Sequence, residues 1–216
     1  MLLSLVVSAL VHVGPCTLVG EIHLLTPADS KDNPEGQVAV YVEKVVPTAF
    51  TAKNETHSIL QSGLQFKPRV LVVLKGDSIQ FINEDKDEHS VFSTSPSLAF
   101  DLPRSRSGVT GTPVKFEVPG PALIQCNVHS WMRANILVVQ NPYFALAAPD
   151  GSWKIAGLPA GTYRLIAWAP NGKRAVGEVT NCDGEQRVVL KRFKPTPVAK
   201  PTRTLEGGMR PVYQNG

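Results

Sequence analysis

Apolar residues along this chain come in short runs, many of them alternating with polar ones, and Gly, Pro, Asn and Asp stand between the runs. That rhythm predicts strands and turns rather than long helices. Residues 18–25 and 38–45 read as a strand, loop, strand unit around the turn-rich stretch 26–36. The pattern weakens over 46–63, which reads as a connector. Strands are expected again at 69–74, 78–83, 90–93, 114–118, 122–126 and 134–139, a spacing that suits a Greek-key sandwich or barrel. A second series at 151–155, 158–168, 175–180 and 186–190 predicts the hairpins of another sandwich, with Trp153, Tyr163 and Trp168 in its core. The chain is therefore expected to be all-β.

Composition fits that reading and adds limits. The chain has 216 residues, 43% of them hydrophobic and 7% aromatic, enough for two modest cores. The net charge of +4 comes largely from the end of the chain, where Lys191, Arg192, Lys194, Lys200, Arg203 and Arg210 face the single acid Glu206. Without interleaved aromatics or a strand pattern, that end reads as a solvated tail, and no nucleic-acid partner is expected. The apolar stretch 1–13 is too short to span a bilayer and resembles the core of a signal peptide, so an exported or periplasmic protein without a membrane span is expected. Three cysteines make no disulfide framework: Cys16 and Cys182 either pair or stay apart, and Cys126 lies in a ligand-like setting.

That setting is Cys126-Asn-Val-His129-Ser-Trp-Met132, where a thiol, an imidazole and a thioether follow one another on a short loop after a strand. A thiolate, two imidazoles and a weak axial thioether form the donor set that suits copper in both of its common oxidation states. His89 is placed to supply the second imidazole, between the end of one strand and the apolar pair Val91-Phe92. The expected site is one copper ion held by His89, Cys126, His129 and Met132. The acidic run 84–88 beside His89 reads as a solvated loop. His12, His23 and His57 have no partner motif, and His57 reads as a linker residue.

Gly76-Asp-Ser-Ile-Gln-Phe-Ile-Asn83 before His89, Phe116-Glu-Val-Pro-Gly120 before the thiol strand, and the C-x-x-H-x-x-M loop resemble the cupredoxins over about residues 64–140. With Phe66-Lys-Pro68, Phe100-Asp-Leu102 and Asn141-Pro-Tyr-Phe144 added, the chain looks like the periplasmic methylamine-utilisation-type cupredoxins. Gly151 to Trp168 resembles the DGxxxIxGLPAGxYxLxAW pattern of a carboxypeptidase-regulatory-like sandwich. By pattern, 1–17 reads as a signal segment and 194–216 as a basic tail; between them the resemblance implies opening strands of the regulatory-like sandwich at 18–50, a cupredoxin domain at 55–140 and the rest of the sandwich at 141–193. It further implies an electron carrier rather than an enzyme, with His129 as the electron port and a redox protein, not identified by the sequence, as partner. A copper-sequestering or delivery protein, or a structural module with a vestigial site, are the other classes. Cupredoxins commonly carry Asn after the first histidine; here Ser90 stands there, and Ser90, Asn83 or Asn127 is the candidate to bond across to the thiolate loop. No H-E-x-x-H protease motif is present, and Gln125 and Asn127 flank the thiol where a multicopper oxidase needs histidines.

Overall fold

The structure, a computed structural model, describes residues 14–22, 37–45, 50, 53–108, 111–170 and 174–190. The described residues form sixteen strands and no helix, as the alternation requires. The apolar stretch 1–13, His12, His23 and the basic tail lie outside the described residues.

The chain opens with β1 (Cys16–Glu21) and β2 (Ala39–Val42). Nine strands follow: β3 (Thr56–Gln61), β4 (Phe66–Lys67), β5 (Val70–Leu74), β6 (Ser78–Asn83), β7 (Val91–Ser95), β8 (Leu98–Asp101), β9 (Val114–Lys115), β10 (Gly120–Cys126) and β11 (Arg133–Val139). They make two sheets, in the orders β4-β3-β6-β9 and β5-β11-β10-β7-β8. β3 runs parallel to β6, and β5 runs parallel to β11. Between the sheets lies one buried cluster that includes Ile59, Phe66, Phe81, Phe116, Ile124 and Ile136. Strict alternation supplies it: in β6 Ile79, Phe81 and Asn83 are buried, and in β10 Ala122, Ile124 and Cys126 are.

The remaining strands are β12 (Phe144–Leu146), β13 (Ser152–Leu158), β14 (Gly161–Trp168), β15 (Arg174–Cys182) and β16 (Glu185–Val189). They do not form sheets of their own. β1 lies between β13 and β16, and β2 lies between β12 and β14, so strands from both ends of the chain build one pair of sheets. Their cluster holds Leu18, Val40, Trp153, Ile155, Tyr163 and Leu165. Gly20 is required in β1, because a Cβ there would stand 2.6 Å from both the Trp153 ring and the Val188 carbonyl.

A third cluster joins the two sheet pairs. Ala39 and Trp168 on one side meet Val70, Val72, Leu137 and Val139 on the other, with Tyr41, Leu74 and Phe144 packed around them. This explains why β11 is buried at six successive positions: Ala134, Ile136 and Val138 face the inner cluster, while Leu137 and Val139 face the second pair of sheets. Trp168, expected in the core of the second sandwich, lies in this joining cluster instead, because odd and even positions of β14 face opposite ways.

Two further expectations are corrected. Residues 46–63 are not wholly connector: β3 occupies 56–61 and is a central strand, its polar residues paired along the ladder. His57 is no linker residue, since its Nε2 lies 3.0 Å from Asp77 Oδ2, and Asp77 also accepts the Glu55 and Leu74 N–H groups. Cys16 and Thr17, read above as the last residues of a signal segment, lie in β1, where Cys16 is bonded to Cys182. That disulfide settles the open question of the two cysteines. It ties the first described strand to β15 across a Cα–Cα distance of 5.5 Å.

Candidate metal centre

The site is assembled at one end of the inner cluster from two loops. Cys126 is the last residue of β10, and the inward phase of that strand buries its thiol. The chain then turns: the His129 N–H donates to Cys126 Sγ at 3.4 Å, and the Met132 N–H donates to the His129 carbonyl at 2.9 Å. This turn brings the imidazole of His129 back over the thiol before β11 begins.

His89 lies on the crossover from β6 to β7, two residues before β7, the neighbour of β10. Its N–H and carbonyl form a two-way bridge with Ser105, at 3.1 and 2.8 Å, and its side chain is 0% exposed. His89 Nδ1 lies 3.8 Å from Cys126 Sγ and 3.1 Å from His129 Nδ1. One donor atom from each of His89, Cys126 and His129 falls within 4.8 Å of the other two. Without a metal the two Nδ1 atoms can share a proton, and with one the same three groups offer it two imidazoles and a thiolate at one buried point.

The tautomer of His89 follows from its second nitrogen. Nε2 lies 2.9 Å from Asp85 Oδ2, so the proton is assigned to Nε2 and the Nδ1 lone pair is left toward the cluster. Asp85 is itself held by the N–H groups of Gly63 at 2.6 Å and Leu64 at 3.0 Å. Partial removal from water works against its charge, but those two N–H groups and the His89 ring outweigh it and hold the carboxyl below the usual carboxylate range. Asn83 orders the same loop by donating to the Asp87 and Ser105 carbonyls and accepting the Asp85 N–H. The acidic run 84–88 is thus only in part a solvated loop: Asp85 turns inward onto His89.

Of the three candidates for the bond across to the thiol loop, Ser90 makes it. Its hydroxyl oxygen accepts the Asn127 N–H at 3.2 Å, while Asn83 serves the histidine loop. The structure brings His89, Cys126 and His129 together. Met132 is fully buried in the inner cluster alongside Cys126, and its N–H donates to the His129 carbonyl. Sequence reasoning missed Asp85, although its i, i+4 spacing from His89 was legible once His89 was chosen.

One thiol with two imidazoles is a set that copper or zinc can use, and a buried methionine at the end of the same loop, Met132, is the soft residue that favours copper. Outside the site, His129 stands beside Trp131 with ring centroids 5.2 Å apart. Trp131 is 60% exposed and Val128 39%, so the imidazole is flanked by apolar surface.

No family model and no curated protein matches the chain. Among solved structures it is similar to a copper-containing nitrite reductase from Thermus scotoductus SA-01, with 22% identity over 45% of this chain and 25% of that one and a TM-score of 0.38. It is also similar to a reduced mutant of amicyanin, with 20% identity over 47% of this chain and 97% of that one and a TM-score of 0.37. A purple cupredoxin from Nitrosopumilus maritimus is 19% identical over 38% of this chain and 98% of that one, with a TM-score of 0.34. The chain spans about a quarter of the length of the nitrite reductase it matches.

Proposed function

We propose that this protein carries electrons by means of one copper ion bound by His89, Cys126 and His129, with Met132 as a weak axial donor. The observation that carries the reading is the meeting of His89 Nδ1, Cys126 Sγ and His129 Nδ1 within 4.8 Å at the buried end of a β-sandwich. A copper ion held there supplies a one-electron couple between its cuprous and cupric states. The chain supplies the rest. Asp85 fixes the His89 ring and Ser105 its main chain, Ser90 fixes the start of the thiol loop, and the apolar cluster beneath excludes water. Ligands held this firmly before binding keep reorganisation small, which is what fast electron exchange needs. His129, half-buried beside exposed Trp131 and Val128, is the port through which a redox protein is reached.

The disulfide between Cys16 and Cys182 supports an exported, periplasmic location, since such bonds persist in oxidising compartments. Residues 55–140 are read as a copper module set inside a regulatory-like sandwich formed by 18–50 and 141–193, a reading supported by the pairing of β1 and β2 with the last five strands.

Electron transfer and copper delivery are separated by voltammetry of the copper-loaded protein together with a chelator challenge. A carrier gives a reversible one-electron wave over many cycles and keeps its copper against the chelator. A protein that gives up copper within the time of mixing, or shows no reversible wave, is not the carrier proposed.

A further inference from the structure

Gln61 ends β3 at the site end of the inner cluster. Its side chain is 0% exposed, and among the described residues neither its Oε1 nor its Nε2 has a hydrogen-bond partner. An amide left so is costly, and folded proteins almost always satisfy such groups with protein or buried water. Nothing in the described function uses Gln61.

Its surroundings indicate what it holds. Alternation along β3 buries Ile59 and Gln61 on the same face. In the parallel ladder Gln61 is the register partner of Asn83, which is also fully buried. Both Asn83 donors are used, on the Asp87 and Ser105 carbonyls, while among the described residues its Oδ1 accepts only the Asp85 N–H and keeps one lone pair. An acceptor with spare capacity thus stands beside an amide with a spare donor, and a water can accept from one and donate to the other. The segment that follows Gln61 supplies the Gly63 and Leu64 N–H groups to Asp85, and the Gln61 carbonyl accepts the Glu84 N–H. Gln61 therefore lies at the root of both loops that hold Asp85 against His89.

We propose that Gln61 binds a buried water between β3 and β6, accepting from Gln61 Nε2 and donating to Asn83 Oδ1, and that Gln61 is through this link a positioning residue for His89. The water site stands on the buried amide alone; the positioning role rests on the copper reading. A buried water of this kind makes about three hydrogen bonds and is costly to remove. It stiffens the Asn83 turn, and with it the carboxylate that orients the His89 ring.

The test is a high-resolution crystal structure of the full, metal-free chain and of Gln61→Met, which conserves volume, followed by copper loading of both. Expected is an ordered water within hydrogen-bond distance of Gln61 and Asn83 in the parent, absent in the variant. The variant is further expected to release copper to a chelator about tenfold faster, with its midpoint potential displaced from the parent's. If methionine is not tolerated, Gln61→Asn, which retracts the amide by one methylene, is read in the same way. A Gln61 amide bonded directly to protein groups, or variants with the parent's copper release and potential, would overturn the proposal. A parent that holds the water yet refuses copper would instead sink the copper reading and leave the water site standing.

Discussion

At the scale of single residues, the proposed copper site divides into ligands that would hold the ion and groups that would set its properties. His89 and Met132 represent the two. Replacing His89 by Ala opens a strong equatorial position in a buried site and is expected to abolish or reshape metal binding. Replacing Met132 by Leu conserves volume and removes only a weak donor, so copper is expected to stay bound and coloured while the midpoint potential rises. Copper content and potential of both variants in one buffer check this; equal loss of copper would show that Met132 is no axial ligand. Asp85 has its own signature in the metal-free protein. Because its carboxyl is held below the usual range, its contribution to stability is fully present above that range and is lost as pH falls through the lowered folded value. Denaturant unfolding of the parent from neutral pH to about pH 2 is expected to lose this contribution at the acid end, and Asp85→Asn is expected to flatten that part of the profile. An identical profile in the variant would mean that the ionisation of Asp85 contributes nothing.

At the scale of elements, β11 is the member on which both halves depend. Leu137 faces the joining cluster and Ile136 the inner one, and each is buried. Truncating either to Ala is expected to cost about 2–5 kcal/mol. Leu137→Ala is expected to separate the unfolding of the two halves into two transitions and leave the copper site intact, whereas Ile136→Ala is expected to loosen the sandwich that carries the site. Calorimetry of the two variants distinguishes them. Much of this was legible in the sequence: β6 and β10 showed their alternation, and the C-x-x-H-x-x-M loop showed its donors. β3 did not, because Thr56-His-Ser begins it with polar residues that pair with a neighbouring strand or with Asp77 rather than pointing into a core. The short β4, β8 and β12 carry too few residues for a period to appear. Asp85 was hidden among four other charges, since which side chain of a polar loop turns inward is decided by the backbone N–H groups it meets.

At the scale of the whole molecule, the two ends of the described chain are sewn together. The Cys16–Cys182 disulfide has a sequence separation of 166 residues and encloses nearly every strand. No local pattern announces a pair so far apart, which is why the sequence left it open. Its loop-closure contribution is about 5 kcal/mol, falling mainly on the sheets formed by β1, β2 and the last five strands. Reduction, or Cys16→Ala with Cys182→Ala, is therefore expected to lower the unfolding midpoint of those sheets strongly while copper binding survives below that midpoint. Loss of copper in the reduced but still folded protein would show that the two halves are coupled more closely than the joining cluster implies.

The measurement that bears most directly on the central claim is the visible absorption spectrum of the metal-free chain titrated with cupric ion, beside the same titration of Cys126→Ser. A trigonal thiolate site is expected to take up one equivalent and develop an intense charge-transfer band that saturates there and is missing from the variant. A parent that stays colourless, or that holds zinc and refuses copper, would contradict it.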